Sequence, residues 1–183
     1  MSKSTSIEPG ASTLAYQLYA ELEWVQPKVW RRLLVPITID LPLLHATLLF
    51  GMGWQGGHLH GFVIGRDNYG PTNMADLDHI VGEEGVTLRD ALGAKKTFTY
   101  IYDYGDDWRH KVRVEKIVTL DAPIDAGVCI GGENACPPED VGGPGLRGVP
   151  RRVGRPQASR ASRLEKMDRR LVRSHRLQRR RSQ

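Results

Sequence analysis

All 13 aromatic residues of this 183-residue chain lie between Tyr16 and Trp108, whereas 13 arginines fall within its last 38 positions. That separation constrains the fold more than any other feature. A core is built from large apolar side chains, and aromatic rings bring the largest buried areas. The folded body is therefore expected within residues 13–145. A domain of about 150 residues buries roughly 68–70% of its unfolded surface, so a stretch of this size can hold a real core.

The formal net charge of +5 divides in the same place. Residues 146–183 carry 14 basic residues against Glu165 and Asp168, a net of +12, which leaves 12 basic and 19 acidic residues, a net of −7, for residues 1–145. A stretch so charged and so poor in apolar side chains cannot offset its ordering entropy by burial, so residues 146–183 are expected to form a disordered, Arg-rich tail. Residues 1–12, rich in Ser, Thr and Gly, read as a disordered arm. No run approaches the ~20 apolar residues that span a bilayer, and the N-terminus lacks the apolar segment of a signal peptide. Two cysteines are too few for a disulfide scaffold, which points to a reducing cytoplasm.

Within the body, Leu14, Tyr16, Leu18, Ala20, Leu22 and Trp24 alternate with Gln17, Glu21 and Glu23, the pattern of a half-buried strand. A second strand follows Pro27 over 29–35. Asp40 stands at an N-cap position with Pro42 in the first turn, and Leu41, Leu44, Leu48, Leu49 and Met52 repeat at helical spacing up to Gly51 and Gly53. A strand over 58–64 aligns His58, His60, Phe62 and Ile64, and a short helix is expected over 88–92. Phe98, Tyr100, Tyr102 and Tyr104 then share one strand face, and Trp108, His110, Val112 and Val114 another, joined through Gly105, Asp106 and Asp107. Residues 119–145, punctuated by Pro and Gly, read as loop. The expectation is an α+β domain with a largely antiparallel sheet of about five strands, one main helix and a short second helix.

Four segments occur here in one order: LAYQLYAELEWVQPKVWRRLLVP at 14–36, GMGWQGGHLHGF at 51–62, YIYDYGDDWRHKV at 100–112 and CIGGENACPPEDVGGPG at 129–145. Together they resemble the Ri-plasmid open-reading-frame-three-like family, found on plasmids, mobile elements and chromosomes. The resemblance implies an α+β fold of unestablished biochemical activity. Some members carry a TnpR-like resolvase or insertion-element passenger label. After Pro144 the chain departs from the family, which continues with Gly-Tyr, an acidic helix and a segment like WIGGxFDP. The expected explanation is a shifted reading frame. Met167 is ATG and Asp168 begins GA, so reading one nucleotide later yields the tryptophan codon TGG. The lost helix would leave apolar surface bare.

The chemistry legible in the residues is sparse. Serines are confined to the arm and the tail, where no nucleophile is held rigidly beside a base, which argues against a serine resolvase. The body's six arginines lack the spacing of a tyrosine recombinase. His58 and His60 form an H-x-H pair that can place two imidazoles on one zinc, with Cys129, Cys136 or His110 as further ligands. However, the two cysteines lie outside the usual C-x2–4-C spacing. The competing reading makes the histidines hydrogen-bonded core residues and the cysteines small buried hydrophobes. Tyr102, Asp103, Trp108 and His110 belong to the densest polar-aromatic cluster, in which Asp106 and His110 are the candidate acid–base pair. Turn-capping and core roles explain these residues more simply. Glu139 and Asp140 suit either a cation or the N-terminus of a helix. The tail would bind nucleic acid without sequence preference. A noncatalytic module for a protein partner is the leading expectation, followed by a metal-assisted enzyme using His58, His60, His110 and Asp106, and then a DNA-binding accessory protein.

Overall fold

The computed structural model describes residues 13–74 and 79–139, all within the first of two units into which the chain divides, Met1–Arg151. The expected arm and tail lie outside the described residues. The elements in chain order are β1 (Thr13–Leu22), β2 (Trp30–Pro36), α1 (Leu41–Met52), β3 (His60–Ile64), β4 (Asp67–Gly70), a 3-10 turn (Thr72–Met74), β5 (Ile80–Gly82), α2 (Leu88–Leu92), β6 (Thr97–Tyr102), β7 (Trp108–Leu120) and β8 (Val128–Glu133).

The strands form one sheet in the order β5-β4-β3-β6-β7-β1-β2-β8. Every neighbouring pair is antiparallel except β4 and β5, which run parallel. The fold is broadly α+β, but the expected five-stranded, largely antiparallel sheet is corrected to eight strands in a mixed sheet. The additional strands β4, β5 and β8 sit at its two ends. There they bury little of either face and carry no apolar alternation; β8 is almost wholly exposed. It also occupies a stretch expected to be loop, because Gly131 and Gly132 read as turn residues.

The central strands follow their alternation in part: Leu14 is exposed, and Trp24 and Tyr104, expected on the same faces as their neighbours, fall beyond the ends of β1 and β6 and are exposed. Leu18, Ala20 and Leu22 of β1, Leu33 and Val35 of β2, Phe62 and Ile64 of β3, Phe98, Tyr100 and Tyr102 of β6 and Trp108 and Val112 of β7 form one buried cluster with Leu41, Leu44, Leu48, Leu49 and Met52 of α1. The side chain of Asp40 caps α1 by accepting from the Leu43 amide at 2.9 Å. Gly53, at φ 93°, ends it by donating to the Leu49 and Phe50 carbonyls. Arg31 reaches across to donate to the Gly51 carbonyl at 2.7 Å, satisfying another acceptor of the last turn. Among the described residues, no helix is long and apolar enough to cross a membrane.

The opposite face of β1, β2 and β7 has a different character. Tyr19 pairs across the sheet with Arg32 on one side and Arg113 on the other. A register shift in β7 leaves Glu115 between the residues paired with Gln17 and Leu18. Its carboxylate accepts from Arg32 at 2.6 and 3.0 Å and from Gln17 at 2.7 Å.

Candidate functional site

Beneath α1 the sheet carries a column of imidazole and phenol rings. His60, near the start of β3, donates from Nε2 to the buried Glu83 carboxylate, at 2.9 and 3.1 Å from its two oxygens. The His45 ring from α1 lies flat on the His60 ring, with centroids 3.4 Å apart and planes 3° from parallel. Burial pushes His45 down to about 4, and the neighbouring His60 acts in the same direction. Burial pushes the Tyr100 phenol well up, so Tyr100 donates and His45 Nδ1 accepts across 2.8 Å. His110 is wholly buried and pushed down to about 4 by desolvation, against the carbonyls of Tyr100 and Trp108. Trp108 Nε1 and His110 Nε2 are buried without a hydrogen-bond partner among the described residues.

A second cluster adjoins the first through Trp54, whose ring lies 5.2 Å from Tyr102, 5.6 Å from Trp108 and 5.4 Å from His110. Tyr102 donates to Glu139 Oε1 at 2.6 Å. The Gln55 and Gly56 amides donate to the same carboxylate at 3.0 and 3.2 Å. Desolvation would raise the Glu139 carboxyl, but these three donors and nearby His58 together hold it below its ordinary value. Tyr102 is raised by burial and by Glu139. His58 sits edge-on to Tyr102, with Nδ1 3.4 Å from the Asp103 carboxylate. Asp103 also accepts from the Gly105 and Asp106 amides and so caps the hairpin turn.

The structure thus brings together His58, Tyr102, Asp103 and Glu139, with Trp108 and His110 beside them and His60 one layer away. The imidazoles of His58 and His60 face different carboxylates. Cys129 is exposed on β8, and Cys136 packs against the core with its thiol pushed up to about 12 by burial. Among the described residues, no three His, Cys, Asp or Glu side chains are grouped as a metal site requires. Asp140 lies outside the described residues. Sequence reading missed His45 and Glu83. The available signal for His45 was its place as the only titratable residue in an otherwise apolar helix. Glu83 follows a strand too short to be legible.

These features define a mixed-sheet α+β domain with a ring-lined, polar centre under one helix. The model of the family described as plasmid pRiA4b ORF-3-like protein matches residues 14–167, and the chain belongs to that family. The match runs past Gly145 into the Arg-rich stretch. The chain is similar to uncharacterized protein y4hQ of Sinorhizobium fredii (strain NBRC 101917 / NGR234). The two are 38% identical over 131 residues, covering 70% of this chain and 66% of that protein. It is also similar to the crystal structure of MM3350 from Methanosarcina mazei Go1, described as a protein of unknown function. There the TM-score is 0.65 and the identity 30%, with 75% of this chain and 78% of the other covered. The family and these relatives carry no assigned reaction.

Proposed function

We propose that the chain is a noncatalytic interaction module that meets a protein partner with the face of its sheet opposite α1. The observation that carries this reading is the stack on that face. The Arg113 guanidinium lies 4.5 Å over the Tyr19 ring, Tyr19 stacks on Trp30 at 5.4 Å, and Arg32 lies 5.3 Å over Trp30. Tyr, Trp and Arg dominate the energetically decisive residues of protein interfaces, because each presents a large contact area together with a directed polar group. Arg113 is more than half exposed, and its ion pair with Glu115 is a long 3.5 Å. Beneath α1, the carboxylates of Glu83 and Glu139 are already bound by His60 and Tyr102. A photo-crosslinking residue at position 113 is expected to trap a protein partner, and one at position 90 on α2 is not. Equal trapping at both positions contradicts the reading.

The cytoplasm is the compartment that two free cysteines support. Carriage on a plasmid or mobile element rests on the family's name and on the insertion-element passenger label that some members carry. The 14 basic residues of 146–183 support nonspecific nucleic-acid binding as a second activity, which deletion of that stretch should abolish. The shifted-frame account of the stretch is tested by reading the coding DNA in both frames. A metal-assisted reaction at His58, His60, His110 and Asp106 draws its support from the H-x-H pair. Metal analysis of untagged protein, with zinc as the first candidate, decides it.

A further inference from the structure

We propose that the amides of Gln55 and Gly56 and the hydroxyl of Tyr102 form a receptor for a carboxylate, which Glu139 fills in cis. This site belongs to the covered side of the sheet and is separate from the face proposed to meet a partner. The receptor uses three donors from two distant parts of the chain. Gln55 donates to one oxygen at 3.0 Å, while Gly56 and Tyr102 donate to the other at 3.2 and 2.6 Å. Consecutive amides aimed at one point form an anion-binding concavity. The chain commits glycine to its shape: Gly53, Gly56 and Gly57 adopt φ values of 93°, 95° and 124°, which L side chains rarely reach. Tyr102 is buried with Glu139 in place, and its hydroxyl donates to that carboxylate. The rings of Trp54 and His58 flank that of Tyr102.

The carboxylate is the replaceable part of this arrangement. The segment leading to Glu139 is anchored independently. Arg31 donates to the Glu133 and Asn134 carbonyls at 3.1 and 3.0 Å, Trp54 Nε1 donates to the Pro137 carbonyl at 2.8 Å, and Cys136 packs against the core. Removing the Glu139 side chain therefore vacates the receptor while the segment keeps its path. Because a tethered group competes at an effective concentration of roughly millimolar or above, the intact chain resists small external acids. It yields to a carboxylate delivered with contacts of its own. The ligand class is thus a carboxylate, either on a free organic acid or on an acidic peptide side chain.

The test titrates the full-length Glu139→Ala chain with sodium acetate, and separately with a blocked Pro-Pro-Glu-Asp peptide, against chloride and a Pro-Pro-Gln-Asp control. The readout is the amide resonances of Gln55 and Gly56. A saturable shift is expected in the variant, requiring at least about tenfold more ligand in the wild type and weakened when Tyr102→Phe is added. Peptide binding much tighter than acetate assigns the site to acidic side chains; equal binding assigns it to free acids. Glu139→Ser replaces the alanine variant if that chain does not fold. Absence of any saturable shift at Gln55 and Gly56 in a folded variant overturns the proposal.

Discussion

His110 shows most directly how burial sets chemistry in this protein. It is fully enclosed and pushed down to about 4, whereas in the unfolded chain it titrates near its ordinary 6.5. Below pH 6.5 the unfolded state takes up a proton that the folded state refuses, so stability falls as the pH drops from 6.5 to 4. The loss amounts to about 3 kcal/mol for this one residue. His45 adds to it in the same window, by less because it is partly solvated. Urea unfolding at about pH 7, 5.5 and 4.5 should show the loss, and His110→Gln should flatten the slope. An unchanged slope in that variant would remove His110 from the account. At this scale the sequence revealed much of the site. The cluster from Tyr102 to His110 was legible because rings and charges crowd one hairpin. The His45 stack was not, since only the packing of α1 onto β3 brings residues 45 and 60 together.

The elements that face the core on one side announced themselves. Residues Tyr16 to Leu22 and Phe98 to Tyr100 alternate because one face is dry, and α1 was bounded by its caps. Asp40→Ala should destabilise the protein by about 1 kcal/mol in thermal or urea unfolding, since the Leu43 amide loses its acceptor. Gly53→Ala should cost a similar amount, about 1 kcal/mol, because φ 93° suits only glycine. Neutral effects at both positions would mean that packing alone fixes the ends of α1. The strands β4, β5 and β8 were silent for a physical reason. A strand at or next to the edge that buries few side chains is held by main-chain hydrogen bonds, which leave no imprint on side-chain alternation. Gly127 shows the same point in miniature. It approaches Thr47 of α1 so closely that any added Cβ would collide with the threonine side chain, a constraint visible only in three dimensions.

Across the whole domain, the sheet separates two kinds of polar chemistry. Under α1, His60 pairs with Glu83 and Tyr102 with Glu139, while His110 Nε2 and Trp108 Nε1 stay buried without a partner among the described residues. On the face opposite α1, Tyr19, Trp30, Arg32 and Arg113 stack on one another. The division between an acidic, ring-bearing body and an Arg-rich stretch was open to composition. The division between the two faces required the pairing of β1 with β2 and β7. Quantitative capture of host proteins by the wild type, by Tyr19→Ala/Arg113→Ala and by His60→Gln tests this view most directly. The double variant should lose at least about tenfold in recovery of the partner, and His60→Gln should retain it. A partner still captured by the double variant but lost by a folded His60→Gln chain would place the working surface beneath α1 and contradict the account.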